Sequence, residues 1–308
     1  MQIGMIGLGR MGANMSRRLA LGNIGIVAFD MSDAARASMS GVSGVATVES
    51  LGALISALAA PRIVWMMLPA GDISQATLDQ LSGLLAPGDL VIDGGNAWYK
   101  DSMRHAEALH AHDIAFIDAG VSGGIWGLAN GYALMVGGDA KAIERATPLF
   151  RVLAPGPEEG WHHCGPAGSG HFVKMIHNGI EYGMMQSYAE GLSLLRGKTE
   201  FAIDIAAVAE MWRHGSVVRS WLLDLTADAL KSGAALDGIK PFVADSGEGR
   251  WTAIEAIEQG IPAPVMSLAL MMRFASQGSD EYGAKLLALM RAGFGGHAVK
   301  HVEPESPK

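Results

Sequence analysis

The sequence predicts an α/β domain with a doubly wound, mostly parallel sheet, followed by an all-α domain. Three observations carry that expectation. Apolar runs of strand length alternate with helical patterns through the first half, a G-x-G-x-x-G turn follows the first run, and beyond Gly197 only helical spacing remains. A length of 308 residues favours two domains, and 49% apolar against 18% charged residues marks a globular chain. The expected domains are 1–167 and 168–308.

The first run, Gln2 to Ile6, enters the turn Gly7-Leu8-Gly9-Arg10-Met11-Gly12, and a helical pattern follows through Ala13, Met15, Leu19 and Leu21. Strand, tight turn and helix N-terminus are the context that makes such a motif informative. Gly7 permits the turn, Gly9 lets backbone amides approach a pyrophosphate, and Gly12 lets helix and strand pack closely, the fingerprint of a Rossmann-like dinucleotide site. The next run, Gly25 to Phe29, ends in Asp30, where an acid accepts hydrogen bonds from the adenosine ribose. A carboxylate there repels a 2′-phosphate, and Met31 and Ser32 supply no cation. NAD is therefore favoured, with NADP left possible by the nearby cations Arg10 and Arg36.

Arg62 to Leu68 and Asp89 to Ile92 are continuous apolar runs, typical of strands covered on both faces, and helical segments fall near Glu49–Ala59, Ile73–Leu85 and Tyr99–Ala111. The strands run into Pro69-Ala70-Gly71 and Asp93-Gly94-Gly95-Asn96, loops that a parallel sheet turns toward its ligand crevice. Ile114 to Ala119 is another strand, leading into Ser122-Gly123-Gly124, whose backbone donors suit a carboxylate or phosphate. Tyr132 to Val136 and a helix over Ala140 to Phe150 complete the domain, and the Pro- and Gly-rich Arg151 to Ser169 reads as its connection to the next. His162, His163, Cys164 and His171 invite a metal, but they lack zinc-site spacing and a second sulfur, so none is expected.

Gly168 to Gly197 reads as one long helix. Lys174, His177, Asn178 and Glu181 stand on it at i, i+3, i+4 and i+7, and at about 100° per residue they share one stripe. Phe172, Met175, Ile176, Ile180 and Met184 lie mostly on other sides and are expected to bury. A lysine and a glutamate two turns apart can serve one substrate as base and acid; they are equally consistent with a solvated face carrying a weak ion pair. Helical patterns follow at Ile203–Arg213, Val217–Lys231, Trp251–Gln259, Val265–Ser276 and Tyr282–Met290. Arg273, on an otherwise apolar helix, calls for an anionic partner. From Arg291 onward the chain is too rich in glycine and proline for a helix and reads as a tail.

Composition narrows the function classes. A net charge of −8 without any Lys/Arg run argues against nucleic acid as a partner. No apolar run approaches the ~20 residues of a membrane span. A single cysteine and the absence of a signal-peptide pattern lead us to expect a cytoplasmic protein.

The motifs GLGRMG, DGGNAWYKDS, GVSGG, GHFVKMIHNGIEYG, GRWTAIEAIEQGIPAP and RAGFGGH together resemble decarboxylating 6-phosphogluconate dehydrogenase in its short form, over nearly the whole chain. The resemblance implies oxidative decarboxylation of 6-phospho-D-gluconate to ribulose 5-phosphate, CO2 and NADH, within the pentose phosphate pathway or gluconate catabolism. It places the proton acceptor at Lys174 and the proton donor at Glu181. Substrate contacts fall on Asn96, Ser122, Gly123, Gly124, His177, Asn178, Tyr182 and Arg273, and cofactor contacts on the glycine loop, Leu68-Pro69-Ala70 and Asn96. Arg291 and His297 match a C-terminal arginine and histidine that reach into a partner subunit's site, implying a homodimer or homotetramer.

The chain also departs from the pattern. Asp30-Met31-Ser32 replaces an Asn-Arg-Thr type of sequence found in members that use NADP, and Ser246 and Glu248 replace a lysine and a threonine of the phosphate pocket. The chain has one helical unit where longer relatives have two. A β-hydroxyacid dehydrogenase of the 3-hydroxyisobutyrate type shares the nucleotide fold, the SGG loop and the helix lysine. It needs no phosphate clamp, whereas this chain carries Tyr182, Arg273 and the Arg291–His297 tail. A non-enzymatic NAD-binding protein is the remaining alternative, against which the intact Lys174 and Glu181 count.

Overall fold

The computed structural model describes residues 1–231, 238–278 and 281–295. Its first part alternates strands and helices in the expected way: β1 (Gln2–Ile6), α1 (Arg10–Leu21), β2 (Gly25–Phe29), α2 (Asp33–Ala37), β3 (Val45–Val48), α3 (Leu51–Ala57), β4 (Ile63–Met66), α4 (Asp72–Leu84), β5 (Leu90–Asp93), α5 (Tyr99–His110) and β6 (Ala115–Ser122). There follow α6 (Gly127–Asn130), β7 (Ala133–Gly138), α7 (Ala140–Leu153) and β8 (Trp161–Gly165). The strands form one eight-stranded sheet in the order β3-β2-β1-β4-β5-β6-β7-β8, parallel throughout except for the antiparallel pair β6–β7.

Two apolar layers cover this sheet, and strand alternation decides which residue enters which. Ile3, Met5, Trp65 and Ile92 pack with Met15, Leu19, Leu149 and Phe150 from α1 and α7. Their strand neighbours Ile6, Val64, Met66 and Val91 point the other way, onto Leu54, Leu81 and Leu109 of α3, α4 and α5.

Two elements depart from the sequence reading. β3 is four residues long with its two central positions exposed, so it lacks an apolar run to announce it. β8 lies inside the segment read as a connection: Trp161, His162 and His163 pair in parallel with Leu134, Met135 and Val136 of β7. Its WHHCG sequence is polar because it is a sheet edge, where only one side is covered.

The remaining elements are helical: α8 (Ser169–Gly197), α9 (Ile205–Trp212), α10 (Trp221–Lys231), α11 (Glu248–Gln259), α12 (Pro264–Ser276) and α13 (Glu281–Gly295). A first compact unit ends at His177, inside α8, and the second begins at Asn178. The sequence reading put the division at 167/168; the opening turns of α8 group with the sheet because they dock on β6, as described below. Helix α13 continues through Arg291 to Gly295, correcting the expectation that Arg291 starts an irregular tail. Its glycines weaken helix propensity by about 1 kcal/mol each without forbidding the helix.

Candidate functional site

The nucleotide loop is built from glycines with no room to spare. Gly7 has φ +92°, and a Cβ on Gly12 would stand 2.0 Å from the Gly7 carbonyl oxygen. Gly9 is different: a Cβ there meets nothing within 4 Å. Gly9 is also the N-cap of α1 and has no side chain to occupy that helix's first amides. The Asp30 carboxylate accepts the Leu8 amide at 2.7 Å and the Ser32 amide at 2.8 Å, leaving lone pairs for a ribose hydroxyl. These features fit a dinucleotide: open donors for its pyrophosphate and a fixed carboxylate for its adenosine ribose. Arg36 donates to the Asp30 carbonyl and pairs with Asp33, so its charge is already engaged; Arg10 is exposed. Leu68 is half-buried, while Pro69, Ala70 and Asn96 are exposed on the loops leaving β4 and β5.

Strand β6 carries the opening of α8. Asp118 is fully buried, and its two oxygens accept the backbone amides of Gly168 at 2.6 Å and His171 at 2.7 Å. Two residues along, on the same strand face, Gly120 leaves space for a lysine: a Cβ there would stand 2.3 Å from the Cβ of Lys174. Two further, the Ser122 hydroxyl lies 3.3 Å from His177 Nε2. Lys174 itself is only 7% exposed, which disposes of the solvated-face reading. Gly123 and Gly124 follow with φ of +138° and +54°, conformations that a side chain rarely allows.

Within the second unit, Asn178 is buried and Glu181 half-buried. Tyr182 is buried beside Gly249, and its hydroxyl lies 3.4 Å from Asp245 and 3.3 Å from Ser246. Arg273 stands over its ring, 3.5 Å from the centroid, and donates to the Ala244 carbonyl at 2.8 Å. The described partners of this cation within the chain are thus an aromatic face and a carbonyl, neither of them the anion that the sequence calls for. Arg250 pairs with Asp245 and lies over the Phe274 ring. Burial pushes the Asp245 carboxyl up, but the Arg250 guanidinium and the Gly247 amide outweigh it and hold the group below the usual carboxylate range. Asp118, Asp245 and Arg250 escaped the sequence reading. Asp118 had a legible signal, a lone acid inside the apolar run AFIDAGV; Arg250 stands inside the motif GRWTAIEAIEQGIPAP, but nothing in that run pairs it with Asp245.

Of the apolar residues expected to bury along α8, Met175 does so, whereas Ile180 and Met184 stay exposed in the single chain. They line a groove of about 790 Å³ with Tyr188, Trp212, Val217 and Val265. The side chain of Arg291 and the whole of His297 lie outside the described residues. His163 bonds the Gly138 and Gly165 carbonyls and His171 bonds Ser102, and among the described residues no group of three or more His, Cys, Asp or Glu is placed to hold a metal. No described helix is long and apolar enough to cross a membrane.

Two family models match the chain end to end: the NAD binding domain of 6-phosphogluconate dehydrogenase over residues 2–164 and the C-terminal domain of 6-phosphogluconate dehydrogenase over residues 170–303. YqeC of Bacillus subtilis is 44% identical over 300 residues, covering 97% of this chain and 99% of that protein. An NAD(+)-dependent, decarboxylating 6-phosphogluconate dehydrogenase of Haloferax volcanii is 42% identical, covering 97% of this chain and 98% of its own. Among solved structures, Plasmodium falciparum 6-phosphogluconate dehydrogenase, determined in apo form and with NADP+ or 6-phosphogluconate, superposes with a TM-score of 0.83 at 28% identity. This chain is covered entirely and spans 67% of that one.

Proposed function

The chain belongs to the 6-phosphogluconate dehydrogenase family, an NAD(P)-dependent oxidoreductase of the decarboxylating kind, and we propose that Lys174 and Glu181 carry its proton transfers. The reaction is the oxidative decarboxylation of 6-phospho-D-gluconate to D-ribulose 5-phosphate and CO2, with NAD as the favoured acceptor. The observation that carries the Lys174 assignment is its burial against Gly120, a position kept free of a side chain where the lysine passes.

NAD, when bound at Gly7–Gly12 and Asp30, supplies the acceptor for hydride from C3. Neutral Lys174 takes the C3 hydroxyl proton as that hydride leaves, giving a 3-keto acid. The ammonium so formed holds the C3 carbonyl oxygen and stabilises the negative charge that develops there as CO2 departs. That ammonium gives its proton to the C3 oxygen to form the enediol. Glu181, protonated, then delivers a proton to C1 while Lys174 takes the hydroxyl proton back and the ketone is restored, and a proton passing from Lys174 to Glu181 resets both groups. Ser122, Gly123, Gly124, Asn96, His177 and Asn178 orient the sugar acid through hydrogen bonds. Arg273, beside Tyr182, grips the phosphate.

A second copy of the chain completes the assembly in this reading. The support is the second unit's small core, two clusters centred on Tyr182, Ala269 and Leu270 and on Ala209, Leu223 and Ala227, beside a wide exposed apolar surface. Arg291 and His297 would then serve a neighbouring subunit's phosphate site. The single cysteine and acidic balance support a cytoplasmic setting.

The test is NADH formation from 6-phosphogluconate by wild type and Lys174→Met. The variant is expected to lose at least about 10³-fold in kcat while binding NAD as before; near-wild-type kcat removes the base assignment.

A further inference from the structure

We propose that Asp118 is a positioning residue for the reaction, setting where Lys174 stands by fixing the start of α8 on the sheet. The inference rests on the reading of Lys174 as the base.

Asp118 sits in mid-strand, fully buried, two residues before the glycine that seats Lys174. Each of its oxygens takes a different amide of the α8 entry, Gly168 N–H and His171 N–H. An ordinary capping side chain sits on the helix it caps and moves with it. Here the acceptor belongs to the sheet, so the two bonds fix the helix relative to β6. Sliding α8 by one residue, about 1.5 Å along its axis, breaks both. The first-turn hydroxyl offers no substitute, since Ser169 Oγ is buried without a hydrogen-bond partner.

The surrounding glycines exist for the same contact. A Cβ on Gly170 would stand 2.5 Å from the carbonyl oxygens of Asp118 and Met135, and one on Gly137 would stand 2.6 Å from the Asp118 carboxylate. Along one face of β6, Asp118, Gly120 and Ser122 thus meet successive turns of α8 at His171, Lys174 and His177. Only Asp118 supplies a charged, bidentate grip; the others supply clearance and a single longer hydrogen bond. Displacing a base by about 1 Å can slow its reaction by 10²-fold, so the placement of this helix bears directly on turnover.

Asp118→Asn tests the role. The amide still accepts one of the two N–H groups but turns its own N–H₂ toward the other. The measurements are kcat per NAD-binding site, KM for NAD, and the primary isotope effect on kcat with substrate deuterated at C3. Displacement of Lys174 slows hydride departure specifically. We expect kcat to fall about 10- to 100-fold, KM for NAD to stay within about twofold, and the isotope effect to rise as hydride transfer becomes rate-limiting. A purely architectural role lowers the number of NAD-binding molecules and leaves kcat per site and the isotope effect alone; that result overturns the proposal. If Asp118→Asn fails to bind NAD, Gly120→Ala, which presses on the Lys174 stem, is judged by the same two readouts. Lys174→Met, run alongside, separates the two ideas. Full activity there sinks the base, whereas an inactive Lys174→Met beside a fully active Asp118→Asn sinks only the positioning role.

Discussion

The guanidinium of Arg273 stands over the ring of Tyr182, 3.5 Å from its centroid, while the hydroxyl of the same tyrosine faces Asp245 and Ser246. One side chain therefore shapes both the cation and its polar surroundings. The other described partners of Arg273 are the Ala244 carbonyl and the Met185 thioether, and none of the three neutralises its charge.

If that charge is what holds the substrate phosphate, Arg273→Ala raises KM for 6-phosphogluconate about 10- to 100-fold, with a smaller effect on kcat. Arg273→Lys does not restore it, because an ammonium lacks the planar fork that both covers the ring and reaches an anion. Tyr182→Phe keeps the ring beneath the cation and changes KM only a few-fold. Steady-state kinetics of the three variants check the order; equal effects from Arg273→Ala and Tyr182→Phe would contradict it.

The Asp30 carboxylate makes a separate prediction about the cofactor. It is fixed by the Leu8 and Ser32 amides and cannot swing away from an incoming 2′-phosphate, and Arg36 is engaged with the Asp30 carbonyl and Asp33. Wild type is expected to prefer NAD over NADP in kcat/KM by about 100-fold, or nearly 3 kcal/mol. Asp30→Ala reduces the preference about tenfold or more by removing the repulsion and a ribose acceptor together. A side-by-side assay of both cofactors decides it, and a wild type that favours NADP would refute the role given to Asp30.

The sheet and the nucleotide loop were legible because burial on both faces writes continuous apolar runs, and the tight turn writes glycines. The exposed strand β3 and the edge strand β8 carry neither signature, so Val45–Val48 draws no strand reading and Trp161–Gly165 falls within the stretch read as a connection. The α8 stripe was legible from helical spacing, but whether water or protein faced Lys174 was not. That depended on Gly120, distant in sequence, and glycine writes no contact pattern of its own. That the described partners of Arg273 are a ring face and a carbonyl was not legible, because neither leaves a charge complement to find in the sequence.

The exposed apolar surface of the second unit predicts association. Val217 is 98% exposed at the rim of the groove that also holds Ile180, Met184 and Val265. A charge at a site so open costs the isolated chain little, yet inside an interface it is left buried and unpaired. Val217→Asp and Val265→Asp should therefore shift the protein toward monomers in sedimentation or light scattering at micromolar concentration. A wild type that is already monomeric would refute the association, and variants whose association is unchanged would move the interface elsewhere.

The last prediction concerns acid stability. Glu210, at the end of α9, faces Lys231 at 2.6 Å, Arg213 at 3.0 Å and His214 at 3.3 Å, and Arg213 in turn bonds Asp224 and Asp228 of α10. The hydrogen bond from Lys231 first, and that from Arg213 second, hold the Glu210 carboxyl at about 2, below its ordinary value of 4.5. A carboxyl depressed by folding stabilises the native state above its unfolded-state value, and that stabilisation disappears as pH falls toward the folded-state value. The contribution is therefore complete above pH 4.5 and lost progressively down to about 2. Glu210→Gln cannot titrate, so its melting midpoint should lie below that of wild type at neutral pH and converge with it through this acid window. Because these charges are solvent-accessible, added salt should narrow the neutral-pH difference. A gap between the two melting curves that stays constant from neutral pH to about 3 would show that the network does not tie α9 to α10.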